Sequence, residues 1–221
     1  MFPPGLTIHD LVANWRFHPS EPLADSTYNG LNLTNSNATQ GTVNIHDGWN
    51  YSFNGTTSVL DAGSPSLLDN PKPKTIEGWC NAAGRGENGA GWIFGHGSIA
   101  GPHWRLNLSG TSVQYFHTYD GDDLSVIGST ELSLSAEHHV AVSWDGGLTA
   151  TNCKLYIDGA EVAYGTQQDA TGSDDTASTN SSFIGNDSTG ARTFNGTIGP
   201  IRIWNKALTA VQIGWIYNRY R

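Results

Sequence analysis

The sequence predicts an all-β chain: two antiparallel sheets packed as a sandwich, with a short C-terminal helix. Turn pairs recur at short intervals, the runs between them alternate in the manner of strands, and the composition is that of a loop-rich β-protein. Asn-Gly pairs stand at Asn29-Gly30, Asn54-Gly55, Asn88-Gly89 and Asn195-Gly196. Asp-Gly pairs stand at Asp47-Gly48, Asp120-Gly121, Asp145-Gly146 and Asp158-Gly159. Both dipeptides tolerate the positive φ that tight hairpins require.

Between the turns lie the expected strands. They are Asn14 to Phe17, Tyr51 to Phe53, Ser58 to Asp61, Thr75 to Cys80, Gly91 to Phe94, and Trp104 to Leu108. They continue with Val113 to Thr118, His139 to Trp144, Lys154 to Ile157, Glu161 to Tyr164, and Ile198 to Trp204. Val140, Val142 and Trp144 share one face while Ala141 and Ser143 share the other, the period of two that defines a strand. Many short strands at this spacing indicate a sandwich rather than a parallel sheet. Thr209 is placed to cap a terminal helix whose apolar positions are Val211, Trp215 and Ile216. Gly214 weakens that helix by about 1 kcal/mol against Ala, so packing on the sandwich must hold it. The polar stretch Gln167 to Ser182 reads as a long loop. No linker or internal repeat divides the chain, and residues 1–221 read as one domain.

Composition bounds the function. The 221 residues carry a net charge of −9, with 37% hydrophobic and 14% charged residues, 27 Gly, 8 Trp and 8 Tyr. A chain this long buries roughly 70% of its unfolded surface without a metal or disulfide staple. The acidic balance argues against nucleic-acid binding, which needs Lys and Arg to neutralise phosphates. No run approaches the ~18 apolar residues of a membrane span, so membrane insertion is not expected. The opening from Met1 to Gly5 lacks the basic start and apolar run of a secretory signal. The expectation is therefore cytoplasmic synthesis, with display on a virus particle or another assembly as one destination. Cys80 and Cys153 read as buried thiols, because a secreted disulfide framework uses more cysteines. After Asp187 no acidic residue occurs, which leaves Arg202, Lys206, Arg219 and Arg221 as a basic segment. It reads either as a solvated face and tail or as a docking patch for an acidic partner, in a homo-oligomer or larger particle.

Four stretches together resemble the laminin G-like, concanavalin A-like family. They are Ala13-Asn14-Trp15-Arg16-Phe17 with Asp25-Ser26, Tyr51-Ser52-Phe53-Asn54-Gly55, the segment from His138 to Gly146 leading to Lys154 through Gly159, and Phe194 through Thr209. The resemblance spans nearly the whole chain and implies a jelly-roll sandwich. It leaves function open, since the fold hosts lectins, glycan-cleaving enzymes and adhesion modules. Where relatives commonly read Gly-X-Ile-Asp, this chain has Gly196-Thr197-Ile198-Gly199. That Asp helps hold a structural calcium in some relatives, and Gly199 cannot.

Glycan-cleaving relatives place carboxylates at alternating positions of one strand, because retention needs two carboxyls about 5–5.5 Å apart. Here Glu77 stands alone on its strand, and Glu131 and Glu137 are too far apart to line one face. The chain therefore reads as a non-enzyme. His138 and His139 are adjacent on a strand, point to opposite faces and cannot clasp one ion. Asp120, Asp122 and Asp123 form the most oxygen-rich loop, readable as a calcium site or as an acidic hairpin tip. No cofactor is otherwise required. A sugar site needs an aromatic face beside polar groups. Trp92, Trp104 and Tyr119, with His96, His103 and Asp120, are the most loop-adjacent set and read as a binding rim, or as core aromatics with ordinary loop histidines. Two functions follow from these readings: a recognition module for a glycan or protein surface, and a structural coat or decoration subunit of a large assembly; a glycan-cleaving enzyme is a distant third.

Overall fold

A computed structural model describes residues 3–41, 48–101, 103–175 and 180–221. Met1, Phe2, Asp47 of the expected Asp47-Gly48 turn and residues 176–179 of the expected Gln167 to Ser182 loop lie outside this description.

The first half of the chain forms β1 (Leu11–Trp15), β2 (Thr34–Ser36), β3 (Thr39–Gln40), β4 (Tyr51–Asn54), β5 (Val59–Asp61) and a one-turn helix, α1 (Ser66–Asp69). There follow β6 (Lys74–Ala82), β7 (Trp92–Gly97), β8 (His103–Ser109), β9 (Ser112–His117), β10 (Leu124–Glu131) and β11 (Glu137–Trp144). The chain ends with β12 (Cys153–Ile157), β13 (Ala160–Glu161), β14 (Tyr164–Gln168), β15 (Ser182–Ile184), β16 (Asn195–Trp204) and α2 (Ala210–Tyr220). All pairings among them are antiparallel, and they build two sheets. The first sheet has the order β13-β12-β11-β6-β16-β4-β3, with β1 also paired to β16. The second has the order β14-β10-β9-β8-β7-β15-β5-β2.

The expected sandwich is therefore present. Its core draws Trp15, Ile76, Val140, Val142, Trp144 and Ile201 from one sheet and Phe94, Trp104, Leu106, Tyr115 and Val126 from the other. Cys80 and Cys153 are buried, unbridged thiols within it. Burial pushes the Cys80 thiol up to about 12. Several strands depart from the sequence reading, among them β2 and β3, which form between Phe17 and Tyr51 where none was expected. β10 was not expected: Leu124 and Val126 alternate toward the core for a short run, Gly128 and Ser129 beyond them are poor strand formers, and ladders to β9 and β14 complete the strand. The expected strand Glu161 to Tyr164 is split, because the chain crosses between sheets after β13. The start of the expected loop is β14, an edge strand, and its end contributes β15.

Alternation explains which face α2 covers. On β11, Val140, Val142 and Trp144 face the core; Ala141 and Ser143 point outward yet are also buried. Their small side chains admit the segment before α2, where Ser143 Oγ donates to Leu208 O at 2.7 Å and Thr75 Oγ1 donates to Lys206 O at 2.7 Å. A second apolar cluster then joins Ala141, Tyr156 and Trp204 to Leu208, Ile213, Ile216, Leu6 and Leu11. Thr209 caps α2 as expected, accepting from Gln212 N at 3.3 Å. The N-terminal segment lies on the same side, held by Gln212 Nε2 donating to Pro4 O at 3.0 Å. Among the described residues no helix packs across the outer face of the second sheet.

Candidate functional site

That face, which no helix among the described residues covers, is built from alternate residues of four neighbouring strands. On β8, Trp104, Leu106 and Leu108 enter the core, so His103, Arg105 and Asn107 point outward. Register places Arg105 opposite Phe116 of β9, and Phe116 opposite Ser125 of β10. Trp92 of β7 completes the group. Its indole lies across Gly95, where a Cβ would stand 2.5 Å from the ring and is not accommodated.

Arg105 is the centre of the arrangement. Its guanidinium sits 4.2 Å from the Phe116 ring centroid and 5.6 Å from that of Trp92. The His103 ring stacks between the same two aromatics, 5.1 Å from Phe116 and 5.9 Å from Trp92. Arg105 Nε donates to Asn107 Oδ1 at 3.1 Å, and Nη1 donates to His103 Nε2. His103 Nδ1 in turn donates to Gly101 O at 2.7 Å, which defines the neutral tautomer. Behind them, Asn107 Nδ2 donates to Gln114 Oε1 at 3.2 Å and Gln114 Nε2 to Ser125 Oγ at 3.3 Å. Among the described residues Arg105 Nη2 makes no hydrogen bond.

The electrostatics agree with this geometry. Burial, reinforced by the Arg105 charge, pushes His103 down to about 4, so the imidazole is neutral and accepts from Arg105. Burial and the Arg192 charge bring Arg105 down to about 10, against the pull of Asp123 and Asp187. At neutral pH the face thus carries a cation flanked by a half-buried phenyl ring and neutral polar side chains.

The six residues expected to form one rim are not brought together. Trp92 and His103 lie on the outer face, but Trp92 is wholly buried beneath its neighbours and His103 is 5% exposed. Trp104 and His96 point the other way, stacked 5.8 Å apart inside the sandwich. Trp104 is wholly buried, 3.7 Å from the Lys74 amine, and donates from Nε1 to Asp69 O at 3.0 Å. Tyr119 is buried beside His117 at 5.1 Å, and only Asp120 of this set is exposed. His103 and Trp104 part because they are consecutive on a strand, and consecutive residues face opposite ways; Trp92 and Tyr119 are lost to the rim by burial. Arg105 and Phe116 escaped the sequence reading, although the alternation of Trp104, Leu106 and Leu108 implied an outward Arg105.

The carboxylates of the acidic loop are engaged in turns. Asp120 Oδ1 accepts from Ser173 N at 2.6 Å, Asp122 Oδ2 from Thr171 Oγ1 at 3.2 Å, and Asp123 Oδ1 from Tyr119 N at 3.0 Å. Among the described residues no group of three or more His, Cys, Asp or Glu side chains is gathered to hold a metal ion.

The basic segment also divides. Arg202 is buried under α2, not exposed for docking: Nη1 donates to Glu77 Oε1 at 3.2 Å, and its guanidinium lies 4.3 Å from the Tyr220 ring centroid. Ile201 and Ile203 take the inward positions of β16, which sends Arg202 to the face that α2 covers. Glu77 also accepts from His139 Nε2 at 3.1 Å. Burial would raise the Glu77 carboxyl, but the Arg202 charge and the His139 hydrogen bond hold it below its ordinary value. Lys206 pairs with Asp10 at 2.8 Å, while Arg219 and Arg221 are exposed.

A model of the concanavalin A-like lectin/glucanases superfamily, of laminin G type, matches residues 53–214. The chain belongs to this superfamily. No curated protein sequence matches the laminin G-like chain. Among solved structures it is similar to domain 4 of AbnA, a GH43 extracellular arabinanase from Geobacillus stearothermophilus in complex with arabinotriose. That match has 20% identity and a TM-score of 0.67, covering 94% of this chain and 98% of that one. It is also similar to the CBM40 of Ruminococcus gnavus IT-sialidase bound to α2,3 sialyllactose, at 13% identity and TM-score 0.61, covering 85% of this chain and 98% of that one. The binding domain of Paraclostridial Mosquitocidal Protein 1 is 15% identical with a TM-score of 0.71; the match covers 96% of the laminin G-like chain and 53% of that structure. At these identities the likeness is one of fold. Among the described residues no helix is long and apolar enough to cross a membrane.

Proposed function

We propose that this laminin G-like chain is a non-catalytic module that binds a glycan on the outer face of its second sheet. The observation that carries the reading is Arg105, held over Phe116 with Nε and Nη1 committed to Asn107 and His103 and Nη2 uncommitted. A guanidinium so pre-organised presents a planar donor to hydroxyl or carboxylate oxygens at small entropic cost. The half-buried Phe116 ring offers an apolar surface for the C–H face of a sugar. The relatives solved with arabinotriose and with α2,3 sialyllactose support this reading. The carboxylate best sheltered for acid–base work, Glu77, is instead bound to Arg202 and His139 under α2, which supports a non-catalytic role.

Retention of the protein in native gels containing arabinan, xylan, β-glucan, galactan or an acidic polysaccharide tests the proposal. Binding should appear for at least one polymer and weaken about tenfold in Phe116→Ala and in Arg105→Ala. Retention unchanged by both substitutions would remove this face as the site. Release of reducing ends from any polymer would remove the non-catalytic reading.

A further inference from the structure

We infer that the loop between β1 and β2 carries a second saccharide site, centred on Tyr28 and separate from the sheet face. Tyr28 is 94% exposed, whereas the other aromatics of the described chain are buried or half-buried. A lone exposed aromatic is ordinary on a protein surface. This one differs in what holds it and in what lies beside it.

A buried carboxylate organises the loop. Asp25 Oδ1 accepts from Asn14 N and Thr27 N, both at 2.9 Å, and Oδ2 accepts from Thr27 Oγ1 at 2.6 Å and Leu31 N at 3.1 Å. Trp15 Nε1 donates to Leu31 O at 2.7 Å, and Asn29 Nδ2 donates to Val12 O at 2.8 Å. Tyr28 is therefore presented on a backbone tied down at both sides, so stacking a ligand on it orders little more than two side-chain torsions.

Beside the ring is a recess of about 110 Å³ lined by Ile8, His9, Leu11, Thr27, Tyr28 and Asn29. Its polar groups are the Asn29 amide, the Thr27 hydroxyl and the His9 imidazole. Asn29 spends its amide nitrogen on Val12 and keeps its carbonyl oxygen to accept. The exposed His9 ring makes no hydrogen bond among the described residues. The carboxylates around it are already engaged, Asp10 by Lys206 and Thr7 and Asp25 by Thr27 and backbone amides. An aromatic platform with amide, hydroxyl and imidazole groups at one edge fits an uncharged pyranose or furanose ring. Its C–H face covers Tyr28, and one exocyclic hydroxyl or hydroxymethyl enters the recess. No residue of the recess belongs to the second sheet, so the site is independent of Arg105.

This inference rests on the glycan-binding reading of the chain, and the experiment separates the two. Methyl glycosides of glucose, galactose, mannose, xylose and arabinose are titrated into the protein while the tyrosine ring resonances and the Asn29 side-chain amide are followed by NMR. At least one glycoside should shift the Tyr28 and Asn29 signals. Tyr28→Phe should keep that affinity within about twofold, Tyr28→Ala should weaken it about tenfold, and Arg105→Ala should leave it unchanged. Titrations that leave the Tyr28 signals still, or a Tyr28→Ala protein that binds as the parent does, would overturn the loop site. Polymer retention that remains sensitive to Arg105→Ala in that case would leave the sheet-face reading standing. Loss of glycoside binding in Arg105→Ala but not in Tyr28→Ala would place the saccharide on the sheet and not on the loop.

Discussion

Acid should destabilise this domain through His103, and the size of the effect follows from its surroundings. The imidazole is 5% exposed and adjoins the Arg105 guanidinium, which together push it from 6.5 to about 4. Above pH 6.5 the ring is neutral in both folded and unfolded chains, and the shift contributes nothing. As pH falls below 6.5 the unfolded chain takes up a proton that the folded one refuses, so folding stability declines until pH reaches the folded value near 4. The loss from this one group is about 2 kcal/mol at pH 5 and about 3 kcal/mol at pH 4. That is a sizeable part of the 5–15 kcal/mol typical of a domain. Urea unfolding of the parent and of His103→Gln between pH 7 and pH 4 isolates the term, because the Gln carbonyl can still accept from Arg105 but does not titrate. His117, also buried and pushed down to about 4, acts equally in both proteins and cancels. The parent should lose about 3 kcal/mol more than the variant over this range. Parallel curves for the two proteins would show that His103 is protonated in the folded state near its ordinary value and that its hydrogen bond to Arg105 is misassigned.

Trp104→Ala should cost about 3–5 kcal/mol in denaturant unfolding, since it empties a wholly buried site and strips the ring from the Lys74 amine; a cost below 1 kcal/mol would return Trp104 to the surface. Arg202→Leu should cost about 3–5 kcal/mol by leaving Glu77 buried without its cation, whereas Arg219→Leu should change stability by less than about 0.5 kcal/mol. Equal effects of these two substitutions on melting would contradict the buried pair. Cys80 and Cys153 should resist an aromatic disulfide reagent in the native protein and react together on unfolding, because burial raises both thiols above their ordinary values. Labelling of either in the folded state at the rate of a free thiol would refute that.

The sandwich was legible where local pattern and tertiary role agree. On β11 the alternation of Val140, Val142 and Trp144 is strong enough to declare a core face unaided. β10 is different: Leu124 and Val126 alternate for too short a run to declare a strand, Gly128 and Ser129 break the pattern, and the neighbouring ladders complete it. Period two could also have turned His103 and Arg105 away from Trp104. Proximity to a glycine-rich loop says nothing about which face a side chain takes, and the expected rim failed on that point. Arg202 lies on the outward side of β16 as its neighbours imply, yet outward became buried because a helix from the far end of the chain settles there. Tyr28 sits between Thr27 and Asn29-Gly30, a turn-like setting that hints at exposure. The grip of Asp25 that organises the loop depends on Asn14 and Leu31, residues distant in sequence from one another.

The pairing of β1 with β16 also decides how the domain answers a mechanical load. Leu11 stands opposite Trp204, so the N-terminal end of the first strand and the C-terminal end of the last lie at the same end of one antiparallel ladder. Tension applied between the two chain ends first strips the Pro4–Gln212 contact and α2 from the sheet. It then reaches the ladder at Leu11 and Trp204 and opens it one hydrogen bond at a time, as a zip opens, instead of shearing all of them at once. Once β1 is released the load passes next to β2, an edge strand of the second sheet, with β5, β15 and β7 still between it and Arg105 on β8.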